Sequence, residues 1–197
     1  MFLSNHTLME WKNYKYLQKT RKGDKIMENT IFLFVGRSGS GKSSVAARLS
    51  EIYGWKVLDS YTTRPPRYEG EKGHIFSTKE EFDALPEKCA YTYFDGNEYC
   101  ATAEQVNNSD IYIIDPDGIT YFKSHYKGDK IPLVVYFDID KYKSAERMAD
   151  RGDDVDAILD RVKNDNSAFK GFNAYDLYFN SGKFTVDEIV AMIAALR

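Results

Sequence analysis

The sequence predicts an α/β fold in three layers, a parallel β-sheet with helices on both faces. Three observations predict it. Ile31 to Val35 is an unbroken apolar run of β-formers that ends at Gly36, as a strand buried on both faces would. Two further runs of the same kind, Asp110 to Ile114 and Ile131 to Phe137, are each followed by polar residues and then by helical spacing. Between the first run and the first helix stands Gly36-Arg37-Ser38-Gly39-Ser40-Gly41-Lys42-Ser43, a glycine-rich turn of fixed pattern.

The elements follow in order. Thr30 opens the first strand, and Lys42 to Tyr53 supplies the helix after it, with Val45, Leu49 and Ile52 on one face and Gly54 as the stop. Helices are expected over Lys141 to Asp150, Val155 to Phe169 and Val186 to Leu196, and a last strand over Leu177 to Phe179. There is no internal repeat and no low-complexity segment.

The 197 residues suit one compact unit carrying an inserted subdomain. With 43% hydrophobic and 29% charged residues and a formal charge of −3, the composition gives no general pull toward nucleic acid or membrane. No apolar run approaches the roughly 20 residues a bilayer span needs, and the N-terminus lacks the hydrophobic centre of a signal peptide. A cytoplasmic location is therefore expected, with Cys89 and Cys100 kept as thiols. Residues 1–26 read as a basic N-terminal extension, with Lys12, Lys15, Lys19, Arg21, Lys22 and Lys25 interleaved with Trp11, Tyr14 and Tyr16. Such an arm either touches nucleic acid or simply precedes the domain of residues 27–197; the second is the expectation. Three scattered histidines and two distant cysteines do not make a zinc site.

The glycine-rich turn satisfies G-x-x-x-x-G-K-[ST] between a strand and a helix, the context in which that pattern binds a polyphosphate. Its glycines let several backbone N–H groups point into one concavity at the positive end of the helix. Gly36, Ser38, Gly39, Ser40, Gly41, Lys42, Ser43 and Ser44 are the candidate nucleotide-binding residues. Lys42 is placed to neutralise the β and γ phosphates of ATP, and Ser43 to bind Mg²⁺. The loop alone does not choose among a small-molecule kinase, a GTPase and a motor.

The next informative stretch is Ser60-Tyr61-Thr62-Thr63-Arg64-Pro65-Pro66-Arg67, followed by Gly70-Glu71 and Gly73. Two arginines on a segment stiffened by two prolines form a rigid fork for a second phosphate. Here the sequence resembles the guanylate kinases, whose pattern is a serine, then T-T-R-x-x-R, then G-E. The likeness covers most of the chain after Glu28: Phe94 to Tyr99 is similar to the family's H-G-N-Y-Y-G segment, Ile111 to Gly118 to its strand ending in D-x-x-G, and Arg147 to Gly152 with Ile158 to Val162 to its lid, R-x-x-x-R-G then I-x-x-R-L. Asp176 to Asn180 resembles the closing strand, whose asparagine lies near the adenine.

The resemblance implies a P-loop NTPase fold with an acceptor-binding subdomain over residues 59–102 and a helical lid over residues 147–163. It implies transfer of the γ-phosphoryl of ATP to a nucleoside monophosphate with Mg²⁺, by a monomer or homodimer. Ser60, Arg64, Arg67, His74 and Tyr99 would hold the acceptor, Arg151 and Arg161 would close on the transferred phosphoryl group, and Asp115 would orient Mg²⁺ waters or face the acceptor.

This sequence departs from the family where guanine is read. The position of the guanine-binding glutamate falls on Ala90, that of the serine or threonine on Ala101, and that of the first strand aspartate on Ile113, while His74 stands in place of a phosphate-binding tyrosine. Replacing Glu by Ala removes the basis for choosing guanine. Two other functions stay open: a sugar-phosphate kinase like the ribose bisphosphate phosphokinases, which lack the base contact, and a catalytically inactive interaction module. A lone arginine on a helix is also often simply solvated.

Overall fold

The computed structural model describes residues 9–11, 29–94 and 96–197. Most of the basic extension, with its lysines and His6, lies outside the described residues, as does Asp95.

The chain forms a three-layer α/β fold with a mostly parallel central sheet, as expected for a P-loop NTPase. Strands β1 (Met9–Trp11), β2 (Thr30–Gly36), β7 (Ile111–Ile113), β8 (Ile131–Asp138) and β9 (Leu177–Asn180) lie in the order β1-β9-β8-β2-β7. All neighbours are parallel except β1, which pairs antiparallel with β9, Met9 opposite Phe179. That edge strand falls inside the segment read from sequence as a basic N-terminal extension. Val57 adds a parallel bridge to Ile111 beyond β7.

The unbroken apolar runs arise because the sheet is covered twice. In β2, Phe32 and Phe34 enter a core with Val45, Leu49, Phe137, Phe179 and Ile189, while Ile31, Leu33 and Val35 enter another with Ile119, Phe122, Val134 and Phe169. Helices α1 (Lys42–Tyr53) and α7 (Val186–Ala194) cover the first face, and α4 (Pro116–His125) helps to cover the second. Every strand residue from Ile31 to Val35 is fully buried, so neither face tolerates a polar residue.

Local signals set the helix ends. Gly54 takes a left-handed conformation and closes α1. Asp140 caps α5 (Lys141–Asp150), Asp154 caps α6 (Val155–Ala168), and Thr185 with Glu188 forms a capping box on α7.

A second sheet, β4-β3-β6-β5, is built from β3 (Ser60–Thr62), β4 (His74–Phe76), β5 (Lys88–Phe94) and β6 (Asn97–Thr102). Two short helices, α2 (Lys79–Asp83) and α3 (Ala103–Asn107), each open on a capping box. Cys89 and Cys100 lie buried there as free thiols, and burial pushes both up to about 12, so neither is a nucleophile at neutral pH. Among the described residues no helix is long and apolar enough to cross a membrane.

Candidate functional site

Strand β2 delivers the chain to Gly36 alongside Phe137 of β8, and the glycine-rich loop turns there before α1 begins. A Cβ on Gly36 would sit 2.3 Å from the Phe137 carbonyl oxygen, and one on Gly39 would sit 2.8 Å from that of Ser144. Both obstacles are backbone, which does not swing aside. Gly36→Ala is therefore expected to lower stability by about 2 kcal/mol through overpacking and to abolish nucleotide binding. A urea midpoint and a calorimetric titration with MgATP check both.

Helix α5 braces the loop from outside. The Ser144 hydroxyl donates to the Ser38 carbonyl at 2.7 Å, and Arg147 donates to the carbonyls of Gly39 and Ser181, each at 3.1 Å. With its carbonyls held outward, the loop can turn its N–H groups to the concave side. Arg147 thus works on the loop itself, a role its place in the R-x-x-x-R-G pattern did not disclose.

Lys42 is the first residue of α1, and its ammonium folds back into the loop. It donates to the Gly36 carbonyl at 2.6 Å, the Arg37 carbonyl at 2.8 Å and the Ser40 hydroxyl at 3.2 Å. Burial pulls its pKa down to about 8, against an opposing pull from Asp165, and Arg151 lowers it further. Beside it lies a cavity of about 460 Å³, lined by Gly39 to Val45, Arg147, Arg151, Ser181, Phe184 and Thr185, and by Val186 and Ile189 of α7. A polar rim of loop residues and an apolar wall from Phe184, Val186 and Ile189 suit a phosphorylated ligand with a flat apolar part. Ser43 and Ser44 are exposed at the cavity's edge. Asn180 ends β9 and lines a different cavity, with Arg37 and Lys141.

The second sheet gathers the other candidate residues. Ser60 and His74 face each other across β3 and β4, the Ser60 hydroxyl 2.9 Å from His74 Nδ1. The Tyr99 ring lies 5.6 Å from the His74 ring. Burial, then the Arg64 charge, lower the pKa of His74, so the ring is neutral at neutral pH. Arg64 grips Glu71 with two nitrogens, at 2.7 and 3.2 Å, and Arg67 gives Glu71 its backbone N–H at 2.6 Å. Hydrogen bonds from Arg64 hold the Glu71 carboxyl down to about 2. Among the described residues Nε of Arg64 is buried with no hydrogen-bond partner, a group that calls for an acceptor.

The charges of the hairpin of α5 and α6 act on both clusters. Asp153, in its turn, takes both Arg151 (2.8 and 2.6 Å) and Arg161 (2.6 Å), and the Arg151 hydrogen bonds, with the charges of both arginines, lower its pKa. The Arg67 pKa is lowered by burial, then by the charges of Arg64 and Arg161, which places the hairpin within electrostatic reach of the second sheet. Arg151 reaches Lys42 in the same way. Sequence reasoning missed Asp153, because an acid between two lid arginines carries no motif.

Asp115 has a task the sequence did not reveal. It caps α4, its Oδ1 accepting the Gly118 N–H at 2.8 Å and the Thr92 hydroxyl at 3.0 Å, and burial raises its pKa. Among the described residues no group of three or more acidic, histidine or cysteine side chains is placed to hold a metal.

No protein-family model matches the sequence, and no curated protein does. Among solved structures the chain is similar to a guanylate kinase from Anaplasma phagocytophilum, with a TM-score of 0.56 and 22% identity over 87% of each chain. That likeness establishes the guanylate-kinase-like fold.

Proposed function

We propose that this chain is an ATP-dependent phosphotransferase that moves the γ-phosphoryl group to the phosphate of a small acceptor, a nucleoside monophosphate in the first instance. One observation carries the proposal: a glycine-rich loop holding Lys42 and a second cluster of cations both lie within electrostatic reach of the arginine-bearing hairpin, and in that cluster Arg64 keeps a buried Nε without a hydrogen-bond partner among the described residues.

In this reading the loop amides from Ser38 to Ser44 and the Lys42 ammonium hold the polyphosphate of ATP. Arg64, Arg67, Ser60, His74 and Tyr99 fix the acceptor phosphate, and Arg151 and Arg161 leave Asp153 to close on the phosphoryl group in flight. An acceptor oxygen bonds to the γ phosphorus as the bond to the bridging oxygen breaks, ADP leaving with the electron pair. The acceptor is already anionic, so no general base is required. Mg²⁺ would supply charge neutralisation between the phosphates; the Ser43 hydroxyl would hold it, with Asp115 as the acidic candidate.

A second reading of the acceptor has its own support. Ala90 and Ala101 are fully buried and Ile113 is apolar, so the wall that reads guanine in the resembled family offers no polar side chain at those positions. A ribose phosphate therefore stands beside the nucleotides as an acceptor. ADP release measured with ATP and a panel of nucleoside monophosphates and ribose phosphates tests both readings. Turnover with at least one is expected, and no release with any of them would favour a catalytically silent binding module.

A further inference from the structure

An acid in the last turn of a helix faces the negative end of the helix dipole, so a carboxylate placed there needs compensation from outside. Asp165 occupies that position in α6. Its compensation comes from the loop: the Ser38 backbone N–H donates to Asp165 Oδ2 at 2.7 Å, and Asp165 is the chief charge favouring the protonated form of Lys42. The neighbouring residue repeats the attachment, Asn166 Oδ1 accepting from Arg37 at 2.7 Å.

A loop N–H donating to an anionic oxygen, with the Lys42 charge within electrostatic reach of it, is the arrangement this loop is built to offer a phosphoryl oxygen. Asp153 does the same for the other cations, taking Arg151 and Arg161 together. Both acids belong to the α5–α6 hairpin. In the structure each of the three cations assigned to phosphoryl transfer is thus within reach of a carboxylate from this hairpin.

We propose that Asp165 is a positioning residue that stands in for a phosphoryl oxygen on the loop, so that an entering polyphosphate must displace it and thereby frees the C-terminal half of α6. The proposal rests on the reading that the loop binds a polyphosphate. Nucleotide entry and hairpin movement then become one event, because a single amide cannot serve both anions. The resting contact also weakens nucleotide binding by competing for the site.

The test is calorimetric titration of the full chain with MgATP and, separately, with inorganic pyrophosphate. Asp165→Asn, which removes the charge and keeps the shape, is expected to bind both about tenfold more tightly. Asp165→Glu, which keeps the charge, should stay within about twofold of the unaltered chain. Equal or weaker binding by folded Asp165→Asn, or an equal gain in Asp165→Glu, overturns the proposal. A second measurement needs no variant: the carboxyl ¹³C signal of Asp165 and the Ser38 amide signal should shift together on saturation with pyrophosphate. A carboxyl signal unmoved at saturation also overturns it. Should neither ligand bind the unaltered chain, the polyphosphate reading of the loop fails first and takes this role with it.

Discussion

Lys42→Ala is expected to lower turnover by at least about three orders of magnitude while leaving the fold intact. Its ammonium is held by two carbonyls and a hydroxyl of the loop it serves, and it adds no side chain to either hydrophobic core. What is lost is a preorganised charge at the point where negative charge shifts from the γ to the β phosphate. Burial has already partly withdrawn it from water, so little reorganisation accompanies its swing onto a phosphate. The pH dependence has a definite sign. With a pKa of about 8 in the absence of nucleotide, Lys42 is mostly protonated at pH 7 and loses its proton as pH rises through 8. Nucleotide affinity should therefore fall across that range in the unaltered chain and stay flat in Lys42→Ala. Full turnover by a folded Lys42→Ala chain would falsify the assignment.

Much of the architecture was legible because its causes are local. Ile31 to Val35 reads as a doubly covered strand since five consecutive buried positions leave no alternation, and Gly54 and Gly36 mark turns that other residues would strain or block. The predicted helices Lys42 to Tyr53 and Lys141 to Asp150 match the structure at both ends. The prediction of Val155 to Phe169 runs one residue past α6, because Phe169 is its C-cap. Other features were illegible because their causes are distant in the chain. The pairing of β1 with β9 joins residues at opposite ends of the sequence, and the contact of Ser38 with Asp165 spans 127 positions. Asp115 shows a motif residue with an additional local cause: its aspartate matches a family pattern, yet in the structure it caps α4 and binds Thr92. The gathering of Ser60, Arg64, His74 and Tyr99 was foreseen only through resemblance, since it depends on parallel pairing of β3 with β4 across a loop that sequence alone does not close.

Arg64→Met is expected to raise the KM for the acceptor by about 100-fold or more with little change in the KM for ATP, and to cost stability as well. The two effects have separate causes. The acceptor loses a planar guanidinium whose Nε has no other partner among the described residues. Stability falls because Glu71 stays behind: its side chain is only 5% exposed, Arg64's is 10%, and removing one member of a buried pair strands the other's charge. Arg67 remains, with its N–H at 2.6 Å and its guanidinium at 3.6 Å, so the expected loss is about 2 to 3 kcal/mol, at or below the lower end for such pairs. Adding Glu71→Gln removes the stranded charge and should restore most of the stability without restoring the acceptor KM. Acid titration gives an independent check. Glu71 is held at about 2 when folded against an ordinary 4.5, so its contribution is present above pH 4.5 and is lost as pH falls toward 2; in Arg64→Met that acid dependence should shrink. If the acceptor KM is unchanged in a folded Arg64→Met chain, Arg64 serves only to hold Glu71, and the second anion site must lie elsewhere.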